Sequence, residues 1–393
     1  MGEEITEFHA IGVQDFEHWI EPKLFTYKPR PLRPYDIDIQ VEACGICGSD
    51  THTAKGDWGQ PFTPMAVGHE IVGYIVRIGP EVDRKTFSIG QRVGVGAQCD
   101  SCGECWRCKH HFENNCPSGS GTYGSTAPDG YHTQGGYADY VRVNSKFVFN
   151  IPEALETKYA APLFCAGVTG FRPLLIGGVK KGSKVAVSGI GGVGHLTIQF
   201  AKALGAEVTA VSRNDKKRDI AKKLGADHYI ATSSPDFPSK YKNSFDVIVN
   251  TASMFSEGHI QDVMSMMRPD GKFLFITMPK VGDKLVIDPF FLCSGNYQIG
   301  GSAIGSPDEI RKMLDIAAKH NIKPWIETYD INEANVSTAW KRLEKGDVRF
   351  RFVLTGYKKV LWKESNRRLN GIRHKIRYQI SSCKYHGTNT LIL

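Results

Sequence analysis

Residues 184–212 read KVAVSGIGGVGHLTIQFAKALGAEVTAVS, and the order of residue types here decides the fold of the middle of the chain. Lys184 to Ser188 is a β-branched run suited to a buried strand, His195 to Leu204 has helical spacing, and Glu207 to Val211 is strand-like again. Between strand and helix stands GIGGVG, where Gly189, Gly191 and Gly194 take the three places of G-x-G-x-x-G and Gly192 lies among them. Glycine at these places permits a tight turn, close approach of backbone to a pyrophosphate, and close packing of helix on strand. The helix N-terminus adds amide donors and a favourable dipole. Alone, a glycine-rich turn is a weak signal; between a strand and a helix it reads as a dinucleotide-binding unit. Downstream, FDVIVNTA (245–252), DVMSMM (262–267) and GKFLFIT (271–277) continue the alternation of a doubly wound parallel sheet.

The end of the second strand predicts which dinucleotide. In an NAD site, an Asp or Glu about 20 residues beyond the first glycine accepts hydrogen bonds from the ribose hydroxyls. Here Ser212 and Arg213 hold that place, with Lys217 just beyond. A carboxylate would repel a 2′-phosphate, whereas a hydroxyl and a guanidinium donate to it. NADP(H) is therefore expected rather than NAD(H), against the blander reading of a solvated charged turn. Asp215 is expected to cap the following helix.

Upstream, residues 44–70 (CGICGSDTHTAKGDWGQPFTPMAVGHE) crowd thiols, imidazoles and carboxylates into one segment. Catalytic zinc is ordinarily held by three groups drawn from Cys, His and Glu with one position left open. Cys47 and His69 supply two such groups. Glu70 is either a third ligand or a carboxylate that stands in when water leaves, and Asp50 suits the second imidazole nitrogen of His69. A lone Cys in an apolar strand is usually an inert thiol; the company of Ser49, Asp50, His52, His69 and Glu70 favours the ligand reading. Cys165, in the buried helical run KYAAPLFCAGVTGFRPLL, is either a core thiol or the third ligand, and the need for a third donor favours the latter. A separate set, Cys102, Cys105, Cys108 and Cys116, has the spacing C-x-x-C-x-x-C-x7-C of a closed four-thiolate structural zinc site. Cys44 and Cys99 are read as spectators.

The flanks are β-rich before residue 155, with IDIQVEAC, IVGYIVRIG and RVGVGA as strands. Near the other end, SPDE opens a helix and RFRFVLT is a strand that returns to the first domain. The chain of 393 residues carries a net charge of +8. Nine basic residues from Lys358 to Lys384 against the single acid Glu364 account for that whole excess, so the body is neutral. The tail lacks a helical or strand period, and neither a nucleic-acid nor a membrane partner is expected. No apolar run reaches the roughly 18 residues of a membrane span. The acidic start MGEEITEFHA has no leader pattern, so the cytoplasm is expected.

With Cys47, His69, Glu70, Cys165, the four-cysteine lobe and GIGGVG in this order, the chain resembles the zinc-containing medium-chain alcohol dehydrogenases, most closely the cinnamyl alcohol dehydrogenase branch with its fungal NADP-dependent members. The resemblance covers roughly residues 5–357. It implies an α/β molecule: a GroES-like β-rich catalytic domain (1–155) with two zinc sites, an inserted Rossmann domain (156–296) and a return to the catalytic domain (297–357); the basic tail (358–393), which the resemblance leaves out, is expected to be disordered. It implies one catalytic zinc on Cys47, His69 and Cys165 with Glu70 beside it, one structural zinc, NADP(H), and a homodimer. Ser49 and His52 match a proton relay that runs through the cofactor ribose, and Trp58 matches a substrate-pocket position. Thr169 would flank the nicotinamide and Arg351 would approach the cofactor phosphates. The implied reaction is reversible reduction of aromatic and aliphatic aldehydes to primary alcohols. An NAD-dependent polyol or secondary-alcohol dehydrogenase is the alternative, disfavoured by the apolar Trp58; a non-catalytic zinc-binding relative is disfavoured by the intact Ser49 and His52.

Overall fold

A computed structural model describes residues 5–127, 129–252, 257–278, 282 and 284–362. Its centre is a six-stranded sheet in the spatial order His228–Ala231, Glu207–Ser212, Lys184–Ser188, Phe245–Asn250, Met267–Phe275, Gln298–Gly301. Every neighbouring pair is parallel. Parallel strands are covered by helices on both faces, which is why Val185, Ala186 and Val187 are all buried with no polar alternation. The turn after Lys184–Ser188 needs its glycines for two reasons. Gly189 has φ +93°, a conformation that side chains disfavour, and a Cβ on Gly194 would stand 2.0 Å from the Gly189 carbonyl oxygen.

The second sheet joins the two ends of the chain. Strand Asp36–Ile46 is its axis, paired antiparallel with Ile71–Ile78, Tyr140–Asn144 and the late strand Arg351–Thr355. Leu354 sits opposite Cys44 and Phe352 opposite Ile46, so the returning strand lies beside the approach to Cys47. Ile326–Asp330 pairs parallel with Arg351–Thr355 across the helix Glu333–Glu344, whose Trp340 is fully buried and stacks on Trp19 at 5.8 Å. The GroES-like and Rossmann parts are thus both present, the second inserted into the first.

Two expected boundaries move. The parallel sheet does not stop at 296, because Gln298–Gly301 is its sixth strand. The helix Pro307–Lys319, capped by Ser306 and Glu309, also packs on the dinucleotide side through Ile310, Met313, Leu314 and Ala317. The chain rejoins the catalytic sheet only at Ile326. At the other end, residues 357–362 are helical, with Tyr357 and Leu361 fully buried against the catalytic core. Val360, Leu361 and Trp362 pack in or against that core, so the periodless tail expected from 358 does not hold for these residues. Residues 363–393 of the expected tail lie outside the described residues.

Among the described residues no single helix is long and apolar enough to cross a membrane. The bent pair Thr157–Phe164 and Ala166–Ile176 passes that test only when joined, and most of its residues are buried.

Candidate active site

Cys47 directly follows strand Asp36–Ile46 and stands immediately before the helix Gly48–Lys55. The Glu70 carbonyl accepts from the Gly45 amide at 2.9 Å, so the antiparallel ladder lays His69 and Glu70 beside Cys47. Gly45 is small by necessity, since a Cβ there would lie 1.9 Å from Oε2 of Glu70. Cys165 arrives at the break between the 3-10 turn Ala161–Phe164 and the helix Ala166–Ile176. Its Sγ is 3.9 Å from that of Cys47, and one donor atom each from Cys47, His69, Glu70 and Cys165 lie within 4.8 Å of one another.

The chemistry of this set fits a cation. Nε2 of His69 and Oε2 of Glu70 are buried without a hydrogen-bond partner, an expensive state for polar atoms unless a ligand satisfies them. The contact from the Cys165 thiol, opposed by burial and reinforced by Arg351 and His69, holds Cys47 well below the usual thiol range. Burial disfavours the His69 imidazolium, yet Cys47, Asp50 and Glu70 outweigh it and raise the group to about 9. Burial lifts Glu70 to about 7 despite the Arg351 guanidinium, which pairs with Oε1. Positive charge is favoured at the centre of this cluster, as a divalent ion would supply.

Asp50 is fully buried and faces His69, but its oxygen is 3.8 Å from Nδ1, beyond hydrogen-bond reach. It accepts instead from the Cys47 amide at 2.8 Å, the Gly68 amide at 3.2 Å and the Tyr137 hydroxyl at 3.2 Å. It braces the backbone at Cys47 and next to His69. Tyr123, absent from the sequence reading, stacks on the His69 ring at 5.4 Å and 5°.

Ser49 lies 3.7 Å from Cys47 Sγ, and His52 is three residues further along the same helix. The His52 ring is 40% exposed, stacks on Trp58 at 4.9 Å, and its Nδ1 is 2.7 Å from the Asp57 carboxylate. Asp57 was missed because it lies beyond the helix, across the left-handed turn at Gly56 that folds it back.

In the structural lobe the sulfur pairs Cys102–Cys116, Cys105–Cys108, Cys102–Cys108 and Cys105–Cys116 are separated by 3.5, 3.6, 3.9 and 3.9 Å. Thiolates around a tetrahedral ion at about 2.3 Å stand about 3.8 Å apart, so the lobe has a zinc-sized cage. Cys44 and Cys99 are buried and outside both sets, and burial pushes their thiols up, Cys99 to about 12. They are inert.

The second half of the site is a cleft of about 780 Å³ at the C-terminal ends of the parallel strands, lined by Gly189, Gly191, Ser212, Arg213, Lys217 and Thr251 among others. It lies where the strand order reverses, the usual seat of a ligand in such sheets. A Cβ on Gly191 would meet nothing within 4 Å, while one on Gly192 would meet the Arg351 guanidinium at 3.1 Å. Arg351 therefore reaches both the glycine-rich loop and Glu70. Arg213 is exposed with no ion pair among the described residues, and Lys217 donates to the Ile190 carbonyl at 2.6 Å. Asp215 does not cap: Asn214 accepts from the Lys216 amide, and Asp215 pairs with Arg218, because the asparagine occupies the extended position before the turn. The Thr169 amide donates to the Cys165 carbonyl at 2.9 Å, one helical turn from that thiol.

Comparison with known proteins agrees with this geometry. Residues 33–153 match the alcohol dehydrogenase GroES-like domain and residues 192–319 the zinc-binding dehydrogenase family. NADP-dependent alcohol dehydrogenase 6 of Saccharomyces cerevisiae is 44% identical over 354 residues, covering 90% of this chain and 98% of the relative. A cinnamyl alcohol dehydrogenase of Sorghum bicolor superposes with a TM-score of 0.82 at 33% identity, over 89% of this chain and 98% of the other. A CAD from Helicobacter pylori complexed with NADP(H) gives 0.81 at 31%, over 90% and 99%. Likeness of this extent, on a chain that brings Cys47, His69 and Cys165 together beside a dinucleotide cleft, establishes that the protein belongs to the zinc-containing alcohol dehydrogenase family.

Proposed function

We infer that the chain is an NADP(H)-dependent zinc alcohol dehydrogenase that interconverts aldehydes, aromatic and aliphatic, with primary alcohols. The observation that carries this reading is the convergence of a buried two-thiol, one-imidazole cluster with a dinucleotide cleft through one residue, Arg351. When bound, zinc supplies a Lewis acid for a carbonyl oxygen and NADPH the hydride.

The chain's own groups do the rest. Cys47, His69 and Cys165 would hold the catalytic zinc. Arg351 restrains Glu70 through Oε1, leaving Oε2 as an exchangeable donor. Asp57 engages Nδ1 of His52, which leaves Nε2 on a partly exposed ring to trade a proton with solvent, and Ser49 lies further in, beside Cys47. Trp58, stacked on His52, presents an aromatic surface that suits hydrophobic aldehydes better than polyols. Thr169 flanks the nicotinamide. Ser212, Arg213 and Lys217 receive the 2′-phosphate, in a corner of the cleft whose described lining has three cations, Arg213, Lys216 and Lys217, and no carboxylate. The Saccharomyces relative is named for NADP, and the Helicobacter structure holds NADP(H), which supports the same choice.

The molecule is read as a homodimer. Gln298–Gly301 is the edge of the parallel sheet, and Met278, Val286 and Phe290, in the part of the chain that leads up to it, are exposed apolar residues. The cytoplasm is its proposed compartment, since the described cysteines are free thiols and thiolate ligand sets persist where thiols stay reduced.

Steady-state kinetics with cinnamaldehyde, hexanal and a polyol, each with NADPH and NADH, test the reading. kcat/KM is expected to be at least about tenfold higher with NADPH, and Ser212→Asp with Arg213→Ala should move the preference toward NADH. Higher efficiency with NADH, or a double variant whose preference does not move, would overturn the cofactor assignment.

A further inference from the structure

His195 directly follows the last glycine of GIGGVG and is fully buried. Both of its ring nitrogens are engaged. Nδ1 is 2.9 Å from the carbonyl oxygen of Gly191, so it must carry the proton and donate. Nε2 is 3.2 Å from the Trp325 amide, a donor, so it must be bare and accept. The two partners together allow only the neutral Nδ1–H tautomer.

Each bond has a consequence. The Gly191 carbonyl, held by the ring and by the His195 amide at 3.1 Å, is turned inward. A trans peptide is planar with its C=O and N–H opposed, so anchoring that carbonyl aims the Gly192 N–H away from the helix. Among the described residues this N–H has no acceptor. On the other side, Trp325 begins the return of the chain to the catalytic domain. Its carbonyl accepts from the amides of Phe350 at 2.9 Å and Arg351 at 3.1 Å. Phe350 stacks on the imidazole at 5.0 Å and 19°, and Arg351 goes on to Glu70. A second pair reinforces the junction, the Gln199 amide donating to the Lys323 carbonyl at 3.1 Å.

We propose that His195 is a positioning residue for the cofactor: it fixes the glycine-rich loop so that the Gly192 N–H is presented to a pyrophosphate oxygen, and it ties that loop to the strand bearing Arg351. This rests on the reading that the 780 Å³ cleft takes NADP(H). The bond is needed only by a ligand with a pyrophosphate; adenosine 2′-monophosphate, which carries the 2′-phosphate alone, should not depend on it.

The test measures dissociation constants of NADPH and of adenosine 2′-monophosphate for the zinc-loaded wild type, His195→Phe and His195→Asn. Phenylalanine keeps the stack on Phe350 and removes both polar contacts; asparagine restores a donor at the place of Nδ1. For His195→Phe we expect NADPH binding weakened about tenfold or more, KM for NADPH raised more than kcat is lowered, zinc content unchanged, and binding of the monophosphate within about twofold of wild type. His195→Asn should recover much of the NADPH affinity. NADPH affinity unchanged in His195→Phe, or an equal loss for both ligands, would overturn the proposal. Should His195→Phe fail to fold, nitrogen-15 spectra of histidine-labelled wild type decide: a buried Nδ1–H tautomer supports it and an Nε2–H tautomer ends it. A wild type that binds NADPH but not the monophosphate would instead remove the placement of the cofactor on which the proposal rests.

Discussion

A buried histidine that must stay neutral makes stability depend on pH. Burial, opposed by the Gly191 hydrogen bond, depresses His195 from 6.5 to about 3. Between those values the unfolded chain binds a proton that the folded one refuses, so stability falls as pH drops from about 6.5 toward 3, and nothing is lost above 6.5. Each pH unit well inside that window costs about 1.4 kcal/mol. Going from pH 7 to pH 5, this residue should remove about 2 kcal/mol. Denaturant midpoints at both pH values should show wild type losing that much more than His195→Asn, and equal losses would mean that the imidazole takes up its proton as readily in the fold as in the unfolded chain. Arg351 illustrates the same economy at another residue: one guanidinium braces Glu70 and lines the glycine-rich loop.

At the scale of elements, the four-cysteine lobe and the strand-to-helix turn at Cys47 are built on opposite plans. The lobe closes on itself within fifteen residues and has four thiols for four coordination positions; it then reaches the dinucleotide side through His111 and Asp308 at 2.8 Å. The Cys47 turn supplies part of a site and leaves the remainder to other elements. Metal analysis of the wild type should find two zinc ions per chain. Cys105→Ser should lose one and lower Tm by about 5 °C or more, because structural zinc contributes to folding. Cys47→Ser should lose the other, with turnover abolished and the fold retained. A Cys105→Ser protein with two zinc ions and an unchanged Tm would contradict the structural assignment.

For the molecule as a whole, the decisive event is the return of the chain to its beginning. Strand Arg351–Thr355 zips onto Asp36–Ile46, and residues 357–362 cover the joint with Tyr357 donating to the Gly136 carbonyl at 2.7 Å. Removing residues 363–393 should therefore leave turnover and a dimer's mass by light scattering unchanged. Cutting after Tyr357 should instead cost about 2 kcal/mol or more, the value of a buried leucine such as Leu361. A monomeric mass for the full chain would reject the edge-to-edge dimer, and a large loss of turnover in the shorter deletion would give the tail a part in the site.

Local spacing by itself determined the glycine-rich turn, the four-thiolate lobe and the Ser306–Glu309 cap, because in each case a few consecutive residues set the geometry. The alternation of strand and helix likewise declared the parallel sheet. What spacing could not express was any contact set by sheet register or packing. Cys165 lies 118 positions from Cys47, Trp325 lies 130 from His195, and Arg351 lies 281 from Glu70; the first was inferred from the need for a third ligand and from the family resemblance, not from spacing. The same limit misplaced the boundary at 296, since an edge strand is defined by the neighbour it pairs with, and misread the residues after Tyr357, whose apolar side chains have meaning only against the core they meet. A sequence states which groups are available for chemistry; the tertiary structure decides which of them are desolvated together, and that shared burial is what turns Cys47, His69, Cys165 and Arg351 into one site.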